Sequence, residues 1–169
     1  MSHHQNFDDQ LDTLFEAYDR TQEGKRDNRE DALTEEAQFI GQFVATRADV
    51  LRPTLEKLGS KLRLRDHDYS ITEGDFRPPH GARAMADEAF VKMFIFLSHL
   101  KDRSRTEAAK IPYVSFTTDH RTKKILVQTS DYTEAGGSVT KHGMYDINQM
   151  SSLFVQEKFL FVFQRLARK

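Results

Sequence analysis

Residues Ile111–Asp131 read IPYVSFTTDHRTKKILVQTSD and are the strongest indication of the fold class of this chain. Two runs rich in β-branched and aromatic residues flank the polar segment 119–124, a pattern that is typical of a β-hairpin. Asp119 suits the start of the turn, because its carboxylate can accept hydrogen bonds from backbone N–H groups two residues further on. The connection contains no glycine, so we expect a loop of about four or five residues rather than a tight two-residue turn.

Further strands are predicted on both sides of this hairpin. Neither face of the run Ile125–Gln128 is purely apolar, which predicts an antiparallel sheet that is covered on one face and partly open on the other. The run 89–98 is strongly apolar and predicts a central strand, in which Phe94 and Phe96 share one face. We predict a sheet of four or five strands within residues 65–146, with the remaining strands near 67–73 and 138–145.

The N-terminal residues have a helical pattern. Apolar side chains recur three and four positions apart in residues 7–22, which places them on one stripe of a helix. The stripe comprises Phe7, Leu11, Leu14, Phe15 and Tyr18. Gly24 suits a helix end, and the nearly all-polar segment 24–32 fits either a loop or a solvated helical bridge. The sequence predicts an acidic helical arm over residues 1–33.

A second and longer helix is predicted over residues 34–64. Thr34 followed by two glutamates is a start signal, and apolar residues then recur at steps of three or four. This stripe comprises Ala37, Ile40, Val44, Ala48, Leu51, Leu55, Leu58 and Leu62, widened by Phe39, Phe43 and Val50. Pro53 removes one backbone hydrogen bond within the stripe, so we expect a kink there rather than an end.

The chain closes with a predicted helix over residues 147–169. Asp146 followed by Gln149 has the spacing of a capping box, which marks a helix start. The run Phe159–Phe163 is apolar on every side, so a strand within 153–165 is the alternative. These elements predict a single α+β domain covering residues 1–169, with two N-terminal helices, an antiparallel sheet and a C-terminal helix.

The composition excludes several classes of protein. The chain has 169 residues, of which 38% are hydrophobic and 30% charged, and this balance indicates a soluble globular protein. It contains no cysteine, which excludes disulfides, thiolate metal sites and cysteine nucleophiles. No apolar run has the length of a membrane span, and the N-terminus lacks a signal-peptide pattern, so we expect a cytoplasmic protein without a membrane partner.

Charge is divided unevenly along the chain. Residues 1–36 contain eleven acids and four bases, a balance of −7, whereas residues 37–169 contain fifteen acids and twenty-one bases, a balance of +6. An acidic leader and a basic body can fold against each other, or each can meet a partner. Two solvated faces are the structural alternative.

Candidate catalytic residues are few and widely spaced. Asp66, His67 and Asp68 place two carboxylates beside an imidazole, but neighbouring strand residues point to opposite faces and cannot converge unaided. His120 and His142 could meet across the sheet. No paired-histidine or cysteine motif completes a zinc site, so the sequence predicts neither a metal nor a cofactor.

Basic residues form a second candidate site, for phosphate or partner contacts. The members are Lys57, Lys61, Arg63, Arg65, Arg103 and Arg105. If they cluster in space they could contact a nucleic-acid backbone, although interleaved acids weaken this interpretation.

Three functions therefore remain open from the sequence. The first is a small interaction or oligomerising protein, an adaptor or chaperone-like binder, with a homodimer favoured because closed two-fold pairs are the commonest oligomers. The second is a nucleic-acid accessory protein, and the third is a small-ligand binder or enzyme with a histidine-containing cleft. A long apolar stripe and a partly open sheet motivate the first.

Overall fold

One long N-terminal helical run leads into a five-stranded antiparallel sheet, and a C-terminal helix follows. The computed structural model describes residues 3–98, 110–133 and 136–168, with side chains described from Asp9 onward. Its contacts divide the chain into two units, Met1–Gln38 and Phe39–Lys169. The predicted α+β class is confirmed, while a single domain over the whole chain stays a prediction.

The helical run has no interruption near Gly24. Helix α1 (His3–Thr46) is followed directly by a π-turn (Arg47–Leu51) and then by helix α2 (Arg52–Arg63). The predicted count of two N-terminal helices is therefore not confirmed, and segment 24–32 is helical. Ion pairs one turn apart support the polar part of α1, because Glu16 and Glu30 each contact an arginine at 3.3 Å.

The π-turn lies immediately before Pro53, where a kink was predicted. The N–H of Arg52 donates to the carbonyl of Arg47, five residues earlier, so the wider hydrogen-bonding pattern occurs just before the residue that has no N–H to donate. Helix α2 then continues through Pro53 to Arg63. The structure thus shows a local change of helix type and does not confirm the predicted kink.

The buried stripe around the π-turn differs from the predicted one. Phe39, Phe43, Arg47 and Leu51 are buried, whereas Val44 is exposed. These buried residues follow one another at steps of four, each of which overshoots a turn of α-helix by about 40°. A π-turn accommodates this spacing because its turn is wider than that of an α-helix.

The sheet is a simple meander in which every strand pairs with the next strand along the chain, in the order β1-β2-β3-β4-β5. The connection between β3 and β4 comprises residues 120–123, a short loop of the kind that the hairpin sequence predicted. The strands are β1 (Asp68–Gly74), β2 (Phe90–Phe96), β3 (Tyr113–Asp119), β4 (Lys124–Ser130) and β5 (Val139–Tyr145).

The core lies between one face of this sheet and the helices. Strand β2 contributes Val91, Met93 and Ile95, and the central strand β3 contributes Val114 and Phe116, all fully buried. Helices α2 and α3 (Ser152–Leu166) pack on this face. The opposite face of β2 carries the half-buried Phe94 and Phe96, so these two aromatics do not belong to the buried face.

The C-terminal segment is a helix, as predicted, but it begins later than residue 147. The capping box of Asp146 and Gln149 lies at the start of a short 3-10 turn (Ile147–Gln149) and not at the start of the helix itself. Ser151 then caps α3, since its hydroxyl accepts a hydrogen bond from the N–H of Phe154 at 3.1 Å. Among the described residues, no helix combines the length and apolar character needed to cross a membrane.

Gly59 allows α2 to approach β1 closely. A methyl group at this position would overlap the ring of Tyr69, which itself lies under the guanidinium of Arg63 at 4.5 Å. We expect Gly59→Ala to destabilise the protein by about 1–3 kcal/mol through overpacking. Gly41→Ala is the matched control, because nothing surrounds Gly41, and alanine in an open helix position should stabilise by about 0.5–1 kcal/mol.

Chemical denaturation measures the unfolding free energy of Gly59→Ala and of Gly41→Ala. We expect this free energy to fall in Gly59→Ala and to rise in Gly41→Ala. Equal stabilisation by both substitutions would show that Tyr69 moves aside and that the close approach is not needed.

Candidate functional site

The triplet Asp66, His67 and Asp68 lies at the turn between α2 and β1, and a catalytic role for it stays a prediction. Asp66 has a left-handed backbone with φ of 62° and is exposed at the turn after α2. The Asp68 carboxylate pairs with Arg63 Nε at 2.9 Å. His67 Nδ1 accepts a hydrogen bond from the N–H of Ser98 at 3.1 Å, and its ring packs against Phe163. The side chains of His67 and Asp68 therefore have separate structural partners.

The predicted pair of His120 and His142 does not form, because each has its own partners. His142 lies at an irregular register between β4 and β5, where Val127 pairs with Gly143 and Gln128 with Lys141. Its Nε2 lies 2.8 Å from the hydroxyl of Thr129, and its ring packs edge-on against Phe161. Burial, followed by the charge of Lys158, lowers the pKa of His142 and favours its neutral form.

His120 instead contacts a carboxylate that precedes β2. Its Nδ1 lies in direct hydrogen-bonding contact with Glu88 Oε1, and its backbone N–H donates to the same carboxylate at 3.3 Å. The hydroxyl of Thr118 donates to Glu88 Oε2 at 2.7 Å. The ring of Phe76 packs against the imidazole with a centroid distance of 5.3 Å. This arrangement holds the imidazole in one orientation beside the β3–β4 turn.

Asp119 completes a group of three that we name the turn cluster: Glu88, Asp119 and His120. Each member offers one ligand atom within 4.8 Å of the others, the only such grouping among the described residues. Two carboxylate oxygens and an imidazole nitrogen are donors that a divalent cation accepts. However, Asp119 Oδ1 also accepts from the N–H groups of Arg121 and Thr122, so turn formation alone accounts for its position.

A cleft of about 510 Å³ lies beside Glu88 at the same end of the sheet. It is lined by Gly74, Asp75, Arg77, Ala86, Asp87, Glu88, Phe90 and Thr117. His120 is not among the lining residues. Glu88 therefore both lines the cleft and contacts the imidazole of His120.

A second concave region lies between α2 and α3, and we name it the α2–α3 groove. One part, of about 350 Å³, and a second part, of about 210 Å³, share Leu58, Lys61 and Phe159 in their walls. Leu160 and Phe163 add further apolar surface. The remaining lining residues are Thr54, Lys57, Leu62, Arg65, His67 and Gln156. The groove thus combines apolar walls with basic side chains.

The predicted basic site is only partly assembled around this groove. Lys57, Lys61 and Arg65 line it, whereas Arg63 is engaged with Asp68 and the Tyr69 ring. The two remaining candidates, Arg103 and Arg105, lie outside the described residues. A role for these cations in phosphate or partner contacts stays a prediction.

On the open face of the sheet, the ammonium group of Lys92 lies against two aromatic rings. Lys92 Nζ lies 3.7 Å from the centroid of the Tyr113 ring and 4.8 Å from that of Phe94. Burial lowers the pKa of the Lys92 ammonium and raises the pKa of the Tyr113 hydroxyl. Ring contacts of this kind stabilise a cation and tie the two strands together.

The apolar stripe of the arm is exposed from Leu11 to Tyr18, and the side chain of Phe7, its first predicted member, lies outside the described residues. Leu14 is 66%, Phe15 57% and Tyr18 62% exposed, and Leu11 is also classed with the exposed large apolar residues. Segment 19–31 that follows is exposed throughout and contains no large apolar side chain. The arm therefore presents a short apolar patch at the end of a polar helical segment.

The sequence did not single out Glu88. It lies in a polar stretch before β2, and its partners Thr118 and His120 are about thirty residues away in the chain. The sequence held only an indirect indication of this contact. In a meander the start of β2 and the end of β3 lie at the same end of the sheet, because neighbouring strands run in opposite directions.

Comparison with protein-family models, with curated proteins and with solved structures finds no match to this chain.

Proposed function

We propose that this chain is an interaction protein that associates through the apolar patch of its N-terminal arm, with self-association as the first form to test. The observation that carries the proposal is the exposure of Leu14, Phe15 and Tyr18 on one stripe of α1. Contiguous exposed apolar surface of this kind marks a contact site on a protein.

Burial of this patch against a partner is energetically favourable. Moving one large apolar side chain out of water contributes roughly 1.5–3 kcal/mol to the free energy of association. The patch contains four such side chains, those of Leu11, Leu14, Phe15 and Tyr18. Association costs several kcal/mol of lost freedom, so a patch of this size supports a weak to moderate complex. The acids around it favour a partner surface that carries positive charge.

The polar segment after the patch supports the same function. A helix that is polar all round is typical of a solvated connection between interacting parts. Arg20 and Arg26 form ion pairs with glutamates of their own helix at 3.3 Å, which help to keep this segment helical in water.

The test is the solution mass of the full chain across the micromolar range, measured by light scattering or sedimentation. We expect a concentration-dependent oligomer that is at least tenfold weaker in the variant Leu14→Gln/Tyr18→Gln. Glutamine keeps the helix propensity while removing apolar surface, and a tenfold change corresponds to about 1.4 kcal/mol.

The matched control is Thr13→Gln, which places glutamine roughly 150° around α1 from the centre of the patch. This variant should keep the association of the unmodified chain. A full chain that remains a monomer over the whole range, or equal association of both variants, would contradict the proposal.

A small-ligand or catalytic role at the sheet end is the second candidate. The specific observation is the Glu88–His120 contact next to a cleft of about 510 Å³. A carboxylate that orients an imidazole is an arrangement suited to general base chemistry. Binding or turnover of a ligand that is lost in His120→Gln, with the oligomer unchanged, would favour this candidate over the first.

A nucleic-acid role has weaker support. The cations that come together, Lys57, Lys61 and Arg65, border an apolar groove rather than an extended polar surface. Phosphate binding would require more positive charge along one face, and it would show a steep salt dependence.

A further inference from the structure

The α2–α3 groove has the surface chemistry of a receptor for an acidic amphipathic helix. Leu58, Phe159, Leu160 and Phe163 supply apolar walls, and Leu160 is itself exposed. Basic residues recur along it at steps of four, from Lys57 through Lys61 to Arg65. A helix that lies in such a groove needs an apolar ridge with carboxylates along one border.

The arm has these properties in its own sequence. On a helix, Phe15 is the stripe residue nearest to Asp12 and Asp19, so these two acids border the apolar patch on the same side. Their separation of seven residues corresponds to roughly 10 Å along the axis, and that from Lys57 to Arg65 to roughly 12 Å. The spacing of the acids therefore fits the spacing of the cations.

We infer that the groove between α2 and α3 binds the arm of a second copy of this chain, with the apolar patch against the groove walls and the acids against Lys57, Lys61 and Arg65. This inference rests on the proposed function and names the acceptor surface for it. Each copy carries one arm and one groove, so two copies can exchange arms reciprocally in a closed two-fold pair. The balance of −7 in residues 1–36 and +6 in the rest of the chain also favours this exchange.

The experiment uses charge reversal in the full-length chain. The groove variant is Lys57→Glu/Lys61→Glu, and the arm variant is Asp12→Lys/Asp19→Lys; all four side chains are exposed, so the fold should tolerate both changes. The control, Arg121→Glu/Lys141→Glu, changes the charge of the basic body equally at exposed positions away from the groove. We expect the dimer to weaken at least tenfold in each of the first two variants and less than threefold in the control.

Mixing the arm variant with the groove variant gives the sharper result. In the mixed pair the basic arm meets the acidic groove, and the acidic arm meets the unmodified basic groove. Both contacts are thus restored, and a heterodimer should form although neither variant dimerises alone. Formation of the heterodimer also shows that both variants are folded.

Three outcomes overturn the inference. A groove variant that dimerises as strongly as the control shows that the arm binds elsewhere, and it leaves the proposed function standing if Leu14→Gln/Tyr18→Gln still dissociates the dimer. A mixture that stays monomeric excludes pairing between these charges. If the unmodified chain binds an oligonucleotide, and the groove variant loses that binding but still dimerises, the groove is a nucleic-acid site instead.

Discussion

Replacing Phe116 with alanine is expected to destabilise the protein by about 3–5 kcal/mol. Phe116 is fully buried in β3, the middle strand, where it pairs with Val91 of β2 and Val127 of β4. Removing the ring leaves a cavity in a core that has close-packed neighbours on both sides. Because domains of this size are stable by about 5–15 kcal/mol, the loss is a large share of the total.

The matched control is Phe94→Ala on β2. Phe94 lies half-buried on the open face, where its ring contacts Tyr113 and the Lys92 ammonium. Losing this partial burial and the ring contact should cost about 1–2 kcal/mol. Urea denaturation of both variants measures the difference, and a cost for Phe94→Ala equal to that for Phe116→Ala would place the core on the other face.

The strands of the sheet were predictable from the sequence, but the buried face of β2 was not. Alternation and turn chemistry depend on neighbouring residues, so the hairpin, the strand near 67–73 and the strand near 138–145 were predictable. The choice of buried face in β2 was not, because Phe94 and Phe96 are as apolar as Val91 and Met93. The face is decided by α2 and α3, which are distant in sequence.

The helices show a similar limit. Gly24 has the features of a helix end, yet the structure continues through it, since a glycine in an open position costs a helix only about 1 kcal/mol. The π-turn before Pro53 was not predictable from apolar periodicity, because the buried residues that it aligns at steps of four include the charged Arg47.

The candidate site could be predicted only in part. Histidines and basic residues were identifiable by type, and Lys57, Lys61 and Arg65 come together because they follow one another at steps of four near the end of one helix. The apolar wall opposite them is supplied by α3, about one hundred residues away. Only the packing of these two helices creates the groove.

Arg47 is a buried charged residue that hydrophobic periodicity misses, and its loss should have the second large effect. Its side chain is 10% exposed and donates from Nη1 to the carbonyl of Gly74 at 2.7 Å and to that of Phe90 at 3.3 Å. Gly74 and Phe90 form the last pair of the β1–β2 ladder. Arg47 therefore links the helical run to the end of the β1–β2 ladder by hydrogen bonds.

We expect Arg47→Met to destabilise the protein by about 3 kcal/mol. Methionine is of similar length but removes the guanidinium that lies 5.9 Å from the centroid of the Phe43 ring, and it leaves both carbonyls without this donor. Each hydrogen bond from a charged group contributes about 1.5–3 kcal/mol to stability. The effect should be local as well as global, with faster amide hydrogen exchange at the Gly74 and Phe90 end of the sheet than at its other end.

Asp75→Asn is the control that separates these hydrogen bonds from the ion pair. Asp75 Oδ1 lies 2.6 Å from Arg47 Nη2, but its side chain is 78% exposed, so the pair contributes less than about 1 kcal/mol in water. Asparagine keeps an oxygen that can accept from the same nitrogen, and Arg47 keeps both of its carbonyl partners. If Asp75→Asn proved as costly as Arg47→Met in chemical denaturation, the ion pair would be the main contribution. A small effect of Asp75→Asn beside a large effect of Arg47→Met would assign the stabilisation to the two carbonyls at the strand ends.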